Sequence, residues 1–151
     1  METVRVEQQV VIFRVGEGTF ALGIDAVREV VPWSPPSPLP DAPPAVEGVL
    51  DLRGEVFPVV ELARLLGTRR SLPDPEARIL IVNLEGQQAG LVVDEVTDVL
   101  TVTQEMITPT SQLLAARSAS TTAGILRLGE GRLVVLLDPA RILAGMGISG
   151  G

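Results

Sequence analysis

Ala21-Leu22-Gly23-Ile24-Asp25-Ala26-Val27-Arg28-Glu29-Val30 and Gly90-Leu91-Val92-Val93-Asp94-Glu95-Val96-Thr97-Asp98-Val99 are two versions of one pattern. The match extends without a gap over 12–31 and 81–100. Downstream, Gly48-Val49-Leu50-Asp51-Leu52 lies over Gly124-Ile125-Leu126-Arg127-Leu128. The second hairpin is one residue longer, and Leu62-Ala63-Arg64-Leu65-Leu66 then lies over Pro139-Ala140-Arg141-Ile142-Leu143. A chain that repeats itself in this way is expected to fold as two similar units with a cleft between them.

The units read as β-structure. Short runs rich in branched residues cover 10–15, 20–24, 49–52, 56–60, 79–84, 89–93, 124–128 and 133–137, each bounded by Gly, Asp or Pro. Gly16-Glu17-Gly18, Glu85-Gly86 and Gly129-Glu130-Gly131 read as hairpin turns. Two short helices are expected. One runs from Glu61 to Leu66 and stops at Gly67; the other starts at Pro139 behind an Asp138 N-cap. Closing such short strands into barrels removes their exposed edges. A repeat unit need not coincide with a barrel, because strands can be exchanged between lobes.

Composition narrows the chemistry. The 151 residues are 46% hydrophobic but only 3% aromatic, so the core is aliphatic. There is no Cys and no His, which excludes Cys/His zinc sites, thiol catalysis, Ser-His-Asp triads and a phosphoaccepting histidine. The net charge is −7 and Arg69-Arg70 is the longest basic run, which argues against nucleic acid as a partner. No apolar leader opens the chain, and no apolar run is long enough to span a bilayer, so a soluble cytoplasmic protein without direct membrane insertion is expected.

The repeat also sorts candidates. Asp25 and Asp94 occur in both halves, so they are read as turn residues of the shared fold rather than as a catalytic pair. Arg53 breaks the repeat, standing in Leu52-Arg53-Gly54 where the second half has Gly129. It reads either as a surface guanidinium ready for acceptors or as a solvated hairpin residue. Seven of the 12 prolines fall within Pro32–Pro44. This stretch reads as a polyproline ligand or, preferably, as an extended crossover, because the second half has a crossover at the same place, 101–122. Trp33 is either a core plug or an interface anchor.

Several motifs together resemble the CheW family. They are Ala26-Val27-Arg28-Glu29-Val30, Leu39-Pro40-Asp41-Ala42-Pro43-Pro44-Ala45-Val46-Glu47-Gly48-Val49, Leu52-Arg53-Gly54-Glu55-Val56-Phe57-Pro58-Val59-Val60-Glu61-Leu62, Gly90-Leu91-Val92-Val93-Asp94-Glu95-Val96 and Gly124-Ile125-Leu126. Order and spacing agree from about Val10 to Leu143. The resemblance implies an all-β fold of two SH3-like five-stranded barrel lobes with short helices. It implies one such domain over 7–145, followed by a flexible tail over 146–151. It further implies a non-enzymatic adaptor without cofactors that joins the cytoplasmic tip of methyl-accepting chemotaxis receptors to the regulatory domain of a CheA-type histidine kinase. Carried over position by position, the receptor-binding residues are Val27, Glu29, Gly48, Arg53, Gly90, Val96, Val99 and Gly124. With no histidine for phosphotransfer and no ATP-binding motif in the sequence, the adaptor is expected rather than a kinase. Two rival readings remain open at this point. One is an enzyme built on Asp25, Asp94 and Asp98; the other is a small-molecule-binding barrel using the interlobe cleft.

Overall fold

Along the first strand, Glu7–Val15, successive side chains enter different cores. Val10 and Ile12 join one buried cluster, while Phe13 and Val15 join another. The strand period of two sends alternate residues to opposite faces, and here both faces are dry. Its repeat counterpart, Arg78–Leu84, behaves alike: Ile79 and Ile81 enter a third cluster, and Leu80, Val82 and Leu84 join Phe13 in the shared one. Burial on both faces is why these runs show no polar alternation.

The computed structural model describes residues 7–109 and 121–147. Its elements are β1 (Glu7–Val15), β2 (Gly18–Gly23), β3 (Val27–Pro32), β4 (Val46–Leu52), β5 (Glu55–Glu61), α1 (Leu62–Leu66), β6 (Arg78–Leu84), β7 (Gln87–Val93), β8 (Glu95–Thr103), β9 (Ile107–Pro109), β10 (Thr122–Arg127), β11 (Leu133–Leu137) and α2 (Pro139–Gly145). One sheet has the order β8-β1-β2-β11-β10-β9; the other has β3-β6-β7-β5-β4. The N-terminal hairpin therefore lies in the sheet of the second half, and the β6–β7 hairpin lies in the sheet of the first. This is a hairpin exchange between repeats.

The two sheets share their registers. The parallel pairing of Val59 with Gly90 is repeated by Leu136 with Ala21, the equivalent residues. Arg28 bulges out of β3 opposite β6, and its equivalent Thr97 bulges out of β8 opposite β1. Sequence periodicity misses β3 and β8 as strands. Both are only half-buried; in β3 a charged residue, Glu29, takes a half-buried position while Val30 is exposed, and in β8 the bulge interrupts the alternation.

The all-β, two-lobed expectation holds, with one correction to the strand count. The first sheet has six strands rather than five, because β9 adds to β10. The first half makes the same contact in miniature. Ser37 pairs with Val49 in an isolated antiparallel bridge, so the proline-rich stretch is a crossover there. Trp33 within it is half-buried against the third cluster, and its backbone N–H donates to Ala77 O at 3.2 Å. Residues 110–120 of the second crossover lie outside the described residues.

Both expected helices are present. α1 ends at Gly67, which takes the left-handed conformation at φ 71°, and Asp138 caps α2 by accepting from the Ala140 N–H at 2.9 Å. They seal the shared seam: Leu62 and Ala63 of α1 and Ile142 of α2 are buried in it. Met146 is buried there too. Residues 148–151 of the expected tail lie outside the described residues.

Candidate functional site

β3 stands at one end of its sheet order, while β4 and β5 stand at the other. Side chains nevertheless join the two ends. Arg53, in the β4–β5 turn, donates from Nη2 to Glu29 Oε1 of β3. Arg28 donates from Nη1 to Glu55 Oε2 at 3.1 Å and to Gln88 Oε1 at 3.0 Å. The sheet thus curls until its ends meet, as a barrel requires.

Arg53 and Gly54 form a tight two-residue turn with φ of 53° and 86°. A left-handed backbone at both positions matches strand twist and suits Gly at the second. The Asp51 carboxylate steadies the turn by accepting the Gly54 N–H at 2.9 Å. The rigid turn leaves the Arg53 side chain 64% exposed while it engages Glu29.

A groove runs between the lobes. Val30, Leu72, Glu76 and Arg78 line it from one side, Glu95 and Val96 from the other. A related groove, lined by Glu7, Gln9, Gly23, Asp25 and Thr101, occupies the pseudo-symmetric position and is more polar in residue type. Val27 and Val96 are half-buried and pack against the shared seam. Val99 is 52% exposed on β8.

The three candidate glycines have reasons internal to the fold. A Cβ on Gly48 would stand 2.1 Å from Ser37 O, and one on Gly124 would stand 2.7 Å from Thr108 O. These are the two crossover contacts described above. A Cβ on Gly90 would stand 2.8 Å from Ile79 Cγ2, inside the third cluster. Of the eight positions, the structure therefore leaves Arg53 and Val99 exposed, Val27, Glu29 and Val96 half-buried, and the glycines buried.

Asp25 and Asp94 share a repeat position but not an environment. Asp94 is fully buried and accepts N–H groups from Gly16 at 2.7 Å, Ser71 at 2.8 Å and Leu72 at 3.0 Å. Burial pushes its carboxyl up, but those three amides, with Arg14 nearby, outweigh it and hold the pKa below the ordinary carboxylate value. Its oxygens are committed to tying the 67–77 connection to the β1–β2 turn. Asp25 is exposed, and Asp98 is exposed without a partner among the described residues. Among the described residues no group of three His, Cys, Asp or Glu side chains is placed to hold a metal, and no helix is long and apolar enough to cross a membrane.

Sequence reasoning missed Val30 as a groove residue and Val56 and Leu133 as exposed apolar residues. The signal for all three was the repeat: Val30 lies over Val99, and Val56 lies over Leu133.

Fold and grooves define a two-lobed β-barrel protein built on an internal pseudo-twofold. The chain belongs to the CheW-like domain family, whose profile matches residues 9–146. It is 37% identical over 131 residues to a chemotaxis protein CheW of Rhizobium meliloti, covering 87% of this chain and 84% of that one. It is 30% identical over 138 residues to a chemotaxis protein CheW of Thermotoga maritima, covering 91% and 88%. The crystal structure of the scaffolding protein TtCheW from Thermoanaerobacter tengcongensis matches with a TM-score of 0.77 at 28% identity, covering 88% of this chain and 90% of that one.

Proposed function

We propose that this chain is a non-enzymatic chemotaxis or motility adaptor that couples receptor tips to a CheA-type histidine kinase in the cytoplasm. The observation that carries this reading is the pairing of its exposed apolar residues. Val30 and Val99 are 42% and 52% exposed, and Val56 and Leu133 are 63% and 61% exposed. Each pair is repeat-related, so each lobe offers two similar apolar positions on rigid strands. A bivalent surface of this kind suits a bridge between two partners. Apolar side chains at defined positions on a rigid frame supply docking energy, and neighbouring charges supply orientation.

In this reading the receptor helix lies along the interlobe face, against Val30, Val96 and Val99, with Arg53 and Glu29 as its polar border. The kinase domain docks at the lobe ends, at Val56 or Leu133. Similarity over most of the chain to proteins named for chemotaxis, and to one named as a scaffold, supports the assignment. Calorimetric titration of the intact protein with a receptor-tip fragment and with the kinase regulatory domain tests it. Saturable binding of both is expected; heat from neither would overturn the reading.

A further inference from the structure

The interlobe groove bordered by Val30 and Val96 takes its third large apolar residue from outside both sheets. Leu72, in the connection from α1 to β6, lines it with them. Leu72 is half-buried yet packs against none of the three buried clusters, so the core does not account for it. The pseudo-symmetric groove receives nothing from this connection, and Ile24 is the one large apolar residue lining it. Leu72 therefore distinguishes the two grooves, much as Arg53 distinguishes the two turns.

No helix or strand includes Leu72. What holds its backbone is Asp94, whose Oδ1 accepts the Leu72 N–H at 3.0 Å and whose Oδ2 accepts the Ser71 N–H at 2.8 Å. The same Oδ2 accepts the Gly16 N–H at 2.7 Å, and the Asp94 N–H donates to Arg14 O at 2.9 Å. Asp94 stands between β7 and β8, where the chain passes from one sheet to the other. One carboxylate thus pins the connection against the β1–β2 turn at the point where the lobes join. The approach is close, for a Cβ on Gly16 would stand 2.4 Å from Arg69 O. Asp94 itself is fully buried and out of reach of a partner.

We propose that Leu72 contacts the receptor helix in this groove, against an apolar side chain of that helix, and that Asp94 is its positioning residue. Asp94 acts on the receptor only through the backbone it fixes. Holding an apolar side chain in place before the partner arrives removes part of the ordering cost of binding. The proposal rests on the receptor-docking reading above and adds to it a wall of the groove that neither sheet supplies.

The test is a double-mutant cycle on receptor-tip affinity, measured by calorimetric titration of the full chain well below every variant's melting midpoint. Leu72→Ala should weaken the receptor tip about tenfold and leave affinity for the kinase regulatory domain unchanged. Asp94→Asn should weaken the receptor tip to a similar extent in the unaltered background and by less than about twofold in the Leu72→Ala background. Gly16→Ala pushes on the same connection from the other lobe and serves where Asp94→Asn does not fold; it should show the same coupling to Leu72. A silent Leu72→Ala in a protein that binds the receptor tip would overturn this inference and leave the docking reading standing. Independent effects, multiplying to about a hundredfold in the double variant, would overturn the positioning role. Equal losses for receptor and kinase in Leu72→Ala would overturn the contact as well. An unaltered protein that does not bind the receptor tip would remove the docking reading and this inference with it.

Discussion

Arg53 and Glu29 form an ion pair that joins the two ends of the five-stranded sheet, and no equivalent pair is made by their repeat counterparts among the described residues. The residue equivalent to Glu29 is Asp98, which has no partner among the described residues, and the facing turn carries Gly129 and Glu130. The shared fold therefore does not require the pair. An exposed ion pair contributes about 0–1 kcal/mol. Arg53→Glu and Glu29→Arg should each leave the thermal midpoint nearly unchanged and weaken association with receptor or kinase fragments. The charge-swapped double variant should restore the ion pair but not the partner binding. Melting curves beside calorimetric titrations separate the two readouts. Unchanged affinity for both partners would reduce Arg53 to a barrel-closing residue.

Asp94→Asn removes a buried anion held by three backbone amides and leaves donors unpaired. Bonds to a buried charge are worth about 1.5–3 kcal/mol each on removal, so a loss of about 3 kcal/mol is expected in denaturant unfolding. Asp25→Asn, at the repeat-equivalent exposed position, should cost no more than about 0.5 kcal/mol. Equal effects would mean that the shared turn, not the amide cage, sets the cost.

Asp94 also predicts an acid limb. Its folded pKa lies below its unfolded value of about 3.9, so the unfolded state binds the proton more readily. Its contribution is complete above that unfolded pKa and is lost as pH falls through the folded one. The stability gap between the unaltered protein and Asp94→Asn should be constant near neutrality and shrink in acid below about pH 4. A gap that widens in acid would contradict the assignment.

Gly48→Ala and Gly124→Ala each force a Cβ onto a backbone carbonyl of a crossing segment. Overpacking of this kind costs about 1–3 kcal/mol, visible as a lower unfolding midpoint. Full stability with lost partner binding would instead place both glycines on the docking surface.

Val56→Arg and Leu133→Arg alter exposed side chains and should change stability by only about 0.5 kcal/mol. Each should weaken association with at least one partner about tenfold, or about 1.4 kcal/mol. Surface-resonance titrations against the kinase domain and the receptor tip check this. Two silent variants would show that neither partner docks at the lobe ends.

Much of this was legible because the repeat is legible. Matched apolar runs locate the strands that bury both faces, such as those holding Ile12 and Ile81, and the Gly67 and Asp138 caps locate the helices. β3 and β8 were hidden because half their residues face water, with Glu29 half-buried and Val30 exposed in β3 and a bulge at Thr97 interrupting the alternation of β8. The amide cage of Asp94 was illegible for a different reason. Its donors sit at 16, 71 and 72, and backbone N–H groups leave no trace in residue type. Arg53 stood out as a departure from the repeat, but its partner Glu29 did not, because an acid occupies the equivalent position in both halves.

The proposed role requires one molecule to hold a receptor and a kinase together. The most direct measurement is analytical ultracentrifugation of the intact protein with receptor-tip fragment and kinase regulatory domain, alone and combined. A ternary species, with neither partner displacing the other, is the predicted result. Mutually exclusive binding of the two partners would contradict it, as would a protein that sediments alone in both mixtures.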